Sequence, residues 1–218
     1  MTKNATKGAA RVRQGRKFAQ VLEGAREVFL ASGFEGASVD EIARVAGVSK
    51  ATLYSYFPDK RLLFLEVIRM ECARQTDEAV TLIDLSAPVR VVLRAGARHI
   101  IGFVTSDFGR GVHRMCVAEA DRFPDLGRQF YESGPEMGRA RIVDFLRDAC
   151  ARGTLRIDDH ALAADQFMQL CQAHIFDRVA CGVQTAFSEA EVNRVIDGAV
   201  EMFMARYGVA ESSAPAGG

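Results

Sequence analysis

From Phe18 onward apolar residues recur every three or four positions, and no stretch sustains the period-two alternation of a half-buried strand. Phe18, Val21, Leu22, Ala25, Val28 and Phe29 share one helical face, which predicts a first helix from about residue 16 to 32 with Gly33 as its stop. The next stretch, SVDEIARVAGVSKATLYSYF from Ser38 to Phe57, describes two short helices. Ser38 and Glu41 have the spacing of a reciprocal capping box, and Ala37 and Ile42 that of a hydrophobic staple. Val39, Ile42, Ala43 and Ala46 form one apolar face, and Gly47 follows, where left-handed backbone ends a helix without a Cβ penalty. Ser49 is placed to cap the second helix, Leu53 and Phe57 sit four apart on its inner side, and Pro58 stops it. Two helices of this length joined by a glycine turn are the sequence form of a helix-turn-helix.

The rest of the chain also reads as helix. Asp59 is the expected N-cap of a long helix reaching about residue 83, and further helices are expected over 88–105, 109–120, 124–152, 159–181 and 188–207. Pro135 either kinks or splits the 124–152 helix. The 159–181 segment carries Ala161, Leu162, Ala164, Phe167, Met168, Leu170, Cys171, Ile175 and Phe176, and is apolar most of the way round. Such a helix must be covered on more than one side, and either a subunit interface or a central place in a monomer core does this. In the last helix Ser188 and Glu191 repeat the capping-box spacing ahead of a broad face of Val192, Val195, Ile196, Ala199, Val200 and Phe203.

Composition narrows the class. The 218 residues suit one domain or two, and 49% apolar with 26% charged residues is ordinary for a soluble globular protein. No apolar run approaches the ~20 residues needed to span a bilayer, and the basic N-terminus lacks the apolar segment of a secretory signal. A cytoplasmic protein is therefore expected. Five widely spaced cysteines in apolar helical settings read as reduced, buried small side chains. The net charge is zero, yet residues 1–60 hold ten Lys/Arg against six Asp/Glu while the remainder holds eighteen against twenty-two. All charges before residue 18 are positive: Lys3, Lys7, Arg11, Arg13, Arg16 and Lys17. A basic arm leading into a helix-turn-helix is the electrostatic footprint of phosphate binding. His99, His113, His160 and His174 have no metal-ligand spacing, and neither a Gly-rich phosphate loop nor a nucleophile elbow occurs. No metal, cofactor or enzymatic activity is expected.

The residues Ser38, Ile42-Ala43, Ala46-Gly47-Val48-Ser49, Thr52-Leu53-Tyr54, Tyr56-Phe57 and Lys60 together resemble the DNA-binding domain of the TetR/AcrR family of bacterial transcriptional regulators over about residues 14–66. Ala51 departs from the glycine that many members carry there. Less specifically, the stretch from Cys116 to Leu126, with Phe130, Gly134-Pro135, Ala149 to Leu155, Ala163-Ala164 and Phe167, resembles an AefR-like C-terminal domain. The resemblance implies an all-α fold in which an N-terminal three-helix helix-turn-helix domain is joined by a long helix to a C-terminal helical ligand-binding and dimerisation domain. The corresponding spans are a disordered basic arm (1–13), the DNA-binding domain (14–60), the helical C-terminal domain (61–210) and a disordered tail (211–218).

Carried over position by position, Lys50 reaches a base edge or nearby phosphate and Ala51 makes an apolar contact, while Ser55 faces bases. Thr52, Tyr54 and Tyr56 contact phosphates through their hydroxyls, with Ser38, Ser49 and Lys60 near the backbone. Tyr54 has packing as its alternative role. The resemblance further implies a near-palindromic double-stranded operator, a homodimer through the last two helices, and a small, hydrophobic effector in the C-terminal helices that releases a repressor from DNA. Candidate effector contacts are Met115, Phe123, Phe130, Phe145, Phe167, Met168 and Cys171, each with core packing as the competing role, and Glu119, a carboxylate among apolar neighbours whose partner is Arg114, Arg122 or a cationic ligand. Localisation would be cytoplasmic, at the nucleoid when bound to the operator. The competing functions are an all-α small-molecule-binding protein or enzyme, or a helical scaffold, not acting on DNA.

Overall fold

The computed structural model describes residues 15–119 and 124–209, the side chains of 75–82, 119, 124–126, 129 and 133 excepted. Lys3, Lys7, Arg11 and Arg13, Phe123, the side chain of Glu119 and the tail 211–218 lie outside the described residues. Eleven helices make up the described chain: α1 (Arg16–Gly36), α2 (Val39–Val45), α3 (Lys50–Tyr56), α4 (Lys60–Leu82), α5 (Val89–Thr105), α6 (Asp107–Glu119), α7 (Pro124–Ser133), α8 (Pro135–Ala151), α9 (His160–Cys171), α10 (Phe176–Ala180) and α11 (Glu189–Tyr207). Two compact units divide at Val67/Ile68, inside α4.

In the first unit α1, α2, α3 and the start of α4 enclose Val21, Ala25, Phe29, Ile42, Leu53, Leu63 and Phe64, all nearly or fully buried. Aromatic rings tie the elements together: Phe29 lies edge-on to Phe64 at 4.7 Å, and Phe18 stacks on Phe57 at 5.4 Å. Gly24 makes the crossing of α1 and α2 possible, since a Cβ there would stand 2.6 Å from the Ala46 backbone nitrogen. The caps form largely as the spacing predicts. Ser38 and Ser49 accept from the amides of Glu41 and Thr52, each at 3.1 Å, and Asp59 accepts from the Arg61 amide at 2.8 Å. The Ser38 box is only half made, because the Glu41 carboxylate turns to Arg44, whose guanidinium holds its pKa below the ordinary carboxylate value. Gly47 adopts φ 63°, the left-handed turn between α2 and α3.

The second unit is built around α9. Its Ala163, Ala164, Phe167 and Cys171 are buried against α5, α8 and α11, and Phe167 meets Phe203 of α11 edge-on at 5.3 Å. The chain itself therefore covers most of this apolar helix, leaving Leu162 51% exposed. Arg98 of α5 bridges to Glu189 and Asn193 of α11 at 2.8 and 2.6 Å, and Arg94 pairs with Asp197. Both halves of the Ser188–Glu191 capping box are present.

Of the kink or split expected at Pro135, the split is found: Gly134 caps α8 with Pro135 in the first helical turn, where its missing N–H costs nothing. Other helix limits differ from the sequence expectation, and α1 continues past Gly33, which breaks it at φ 68°, to Gly36. The helix expected over 109–120 begins earlier, at Asp107, because Ser106 closes α5 and its hydroxyl accepts from the Gly109 amide at 3.0 Å. The single helix expected over 159–181 is broken into α9 and α10 by residues 172–175, where His174 takes φ 61°. No glycine or proline marks that break; Ile175 beyond it is 2% exposed, so packing of the following turn holds the kinked path. The segment after α11 folds back on 154–156, with the Arg156 amide donating to Tyr207 at 2.8 Å and the Val209 amide to Thr154 at 3.2 Å.

Candidate nucleic-acid interface and apolar cavities

On α3 the inward side is Leu53, 1% exposed, and the opposite side presents Lys50, Ala51, Tyr54 and Ser55 to solvent. Tyr54 is 48% exposed, so its hydroxyl faces water rather than packing inside. Tyr56 is half-buried, its ring edge-on to Phe18 at 5.5 Å. The polar groups around the helix are already partly engaged. The Ser49 and Thr52 hydroxyls lie 2.9 Å apart, and Ser55 donates to the Thr52 carbonyl at 2.7 Å. Lys50 pairs with Asp40 of α2 across the turn. Ser38 stays exposed at the start of α2.

Lys60 is occupied differently from the other basic residues. Its ammonium donates to the carbonyls of Phe34 and Ala37 at 2.9 and 3.0 Å and stands 4.4 Å from the Phe34 ring centre. Those carbonyls close the end of α1, where the helix dipole favours a cation. One N–H remains for anything outside. Next to it, the Arg61 guanidinium and amide hold the Asp59 carboxyl below the ordinary carboxylate pKa.

The second unit contains two adjoining cavities, each of about 300 Å³, within the range of small-molecule sites. The first is walled by Ile100, Phe103, Phe130, Met168 and Phe176, with Cys72 of α4 beside them. Its polar lining is His99, Arg110, His113, Arg114 and Gln172. The second is lined by Leu93, Ile142, Phe145, Phe167 and Met168, with Arg141, Asp144 and Asp148 on the exposed side of α8. His99, Ile100, Gly138 and Met168 belong to both walls.

Of the effector contacts expected from sequence, Phe130, Phe145, Phe167 and Met168 line these cavities. Met115 and Cys171 are instead buried at 4% and 0% exposure and are absent from both linings. Burial pushes the Cys171 and Cys116 thiols up to about 12 and that of Cys72 to about 11, so all three stay protonated near neutral pH. The basic face of α6 was not anticipated. Arg110, His113 and Arg114 are not among the effector contacts expected from sequence, and the broken path after α9 brings Gln172 and Phe176 to the same cavity. Among the described residues no three His, Cys, Asp or Glu side chains gather as a metal site requires, and no helix is long and apolar enough to cross a membrane.

Two family models match the chain: bacterial regulatory proteins of the tetR family over residues 21–67, and the C-terminal domain of AefR-like transcriptional repressors over residues 91–209. The chain is 32% identical to a TetR-family transcriptional regulator from Mesorhizobium loti, covering 91% of this chain and 100% of that one with a TM-score of 0.80. The flavonoid-responsive regulator FrrA is 35% identical, with 90% and 100% covered and a TM-score of 0.71. The HTH-type transcriptional repressor AcnR of Corynebacterium diphtheriae is 36% identical over 80 residues, 37% of this chain. That match spans 42% of AcnR, less than half of its length.

Proposed function

The chain belongs to the TetR family of bacterial regulatory proteins, and from that premise we infer that it is a sequence-specific DNA-binding transcriptional regulator, a repressor that leaves its operator when a small molecule enters the second unit. The observation that carries this reading is the outward face of α3, where Lys50, Ala51, Tyr54 and Ser55 stand exposed over the buried Leu53. A helix of that shape, anchored on one side and polar on the other, fits the major groove. Lys50 and Ser55 face base edges, Ala51 makes an apolar contact, and Tyr54, Thr52, Tyr56, Ser38 and Ser49 hold phosphates. Lys60 serves mainly to fix α1 against α4. The AefR-like repressor match and AcnR favour repression over activation.

A palindromic operator calls for two copies of α3, hence a homodimer. Leu162 of α9 and Met202 of α11, 51% and 63% exposed, are the apolar side chains that α9 and α11 offer to a second copy. The effector reading rests on the two cavities, and Cys72 puts the long helix α4 in the wall of the first. A ligand there shifts DNA affinity only through unequal affinity for the bound and released forms. The name of FrrA makes flavonoids reasonable first compounds to screen.

Fluorescence anisotropy with the DNA upstream of its own gene tests the reading. Specific binding is expected to weaken steeply between 50 and 200 mM salt, as phosphate neutralisation requires. Equal affinity for that DNA and a scrambled duplex would leave a helical ligand-binding protein as the better description.

A further inference from the structure

The two cavities of the second unit are chemically unequal. Among the described residues, the first has four cationic or titratable nitrogen side chains in its wall, His99, Arg110, His113 and Arg114, and no carboxylate. Three of these come from consecutive turns of α6. Arg110 is already compensated: it pairs with Asp107 and donates to the Thr105 carbonyl at 2.5 Å. His113 rests edge-on against Phe176 at 5.0 Å, which fixes the imidazole at the wall. Arg114, one turn beyond Arg110, is exposed and pairs with no carboxylate among the described residues. Among the described residues the site thus carries one positive charge without a carboxylate partner, beside a largely apolar surface.

The second cavity is the apolar one, with its charged residues confined to Arg141, Asp144 and Asp148 on the exposed side of α8. Asp144 is paired with Arg147 at 3.2 Å. Between the two cavities stands Gly138, where an added Cβ would meet nothing within 4 Å. The shared wall is therefore open at its smallest residue, and Met168, the other shared side chain besides His99 and Ile100, is of the unbranched type that adapts to irregular guests.

We propose that the two cavities form one bipartite site for an amphipathic organic anion, its acid group against Arg114 and His113 of α6 and its apolar body passing Gly138 into the second cavity. The inference deepens the regulatory reading above and rests on it for the ligand's purpose, though not for its chemistry. Charge decides the orientation. An acid group at α6 gains charge-assisted hydrogen bonds, whereas at the far end it would face two aspartates, Asp144 and Asp148, against the single arginine Arg141. A cation has no carboxylate to meet in the first cavity, and the exposed Asp144 and Asp148 would hold it only weakly in water.

Isothermal titration of the full chain, with no DNA present, tests this with two charge-matched pairs of probes kept below their aggregation concentrations. The pairs are dodecanoate with dodecyltrimethylammonium, and 2-naphthoate with 2-naphthylmethylammonium. At least one anion is expected to bind tenfold or more tightly than its cationic partner. Arg114→Gln, a surface change that leaves the fold intact, should weaken that anion about fivefold or more while leaving dodecanol unchanged. Gly138→Leu should weaken dodecanoate and spare hexanoate, which is too short to need the second cavity. Failure of both anions to bind at 1 mM, equal or tighter binding of the cations, or an Arg114→Gln variant with unaltered anion affinity would each overturn the proposal. Operator release is measured separately by anisotropy. Anion selectivity without any DNA binding would refute the regulatory reading and leave the site assignment standing.

Discussion

At the scale of single residues, the ion pair between Lys50 and Asp40 has a cost for DNA binding. The side chain assigned to the groove is held by a carboxylate one helix away, with both partners more than half exposed. An exposed pair of this kind is worth about 0.2–1 kcal/mol, so DNA must offer Lys50 slightly more than that before the pair opens. Asp40→Asn should therefore tighten operator binding about two- to fivefold, helped by the removal of a negative charge near phosphates. Lys50→Ala should weaken binding and reduce the slope of log affinity against log salt by about one. Anisotropy titrations at several salt concentrations read both effects, and an Asp40→Asn variant that binds more weakly than the parent would show that Asp40 assists recognition.

At the scale of elements, the approach of α1 to α2 hinges on the atom that Gly24 lacks. A Cβ there would lie 2.6–2.7 Å from the Ala46 nitrogen, Cα and Cβ, and two of those atoms are backbone that cannot rotate away. Alanine is the better helix former by about 1 kcal/mol, yet Gly24→Ala should lower stability by about 1–3 kcal/mol, because α2 must shift to admit the methyl. Adding Ala46→Gly should recover little, since the nitrogen and Cα stay in place. Urea unfolding followed by circular dichroism checks the order of the three variants. The same contrast of local and distant causes explains what sequence revealed. Ser38, Gly47, Ser49 and Pro58 act on their immediate neighbours, so the helix-turn-helix was legible to within a residue or two. The break at 172–175 has no such marker. His174 adopts its left-handed conformation because buried residues on either side, Cys171 and Ile175, hold it there, and spacing along one helix carries no trace of that. The cavities suffered likewise. Phe130, Phe145, Phe167 and Met168 were found as apolar residues in the right region, while the arginines and histidine of α6 acquire their meaning only opposite Phe176.

For the whole molecule, the question is what remains uncovered after the chain has packed on itself. Central α9 is enclosed by α5, α8 and α11, so the dimer proposed through the last helices would use the outer fringe of α9 and α11. Leu162 and Met202 are the large apolar side chains exposed on those two helices. Leu162→Asp with Met202→Asp should give a folded monomer by sedimentation velocity, with unchanged helicity. On a palindromic operator such a monomer should lose at least tenfold in affinity, because the second α3 no longer binds as part of the same body. A double variant that sediments as a dimer would place the interface elsewhere.

The clasp beside α11 has one more consequence. Helix ends are normally where a fold begins to loosen, since their last carbonyls and amides have no partner within the helix. Here Tyr207 accepts from the Arg156 amide and its hydroxyl donates to Gln166 of α9 at 2.6 Å, while Gly208 bridges Leu155 and Val209 donates to Thr154. Fraying at this helix end is thus coupled to opening of the 154–156 loop and to loss of a bond to the central helix. Thermal motion that would elsewhere be a harmless flutter is here a cooperative event, and the last turn of α11 keeps time with the core rather than with the solvent.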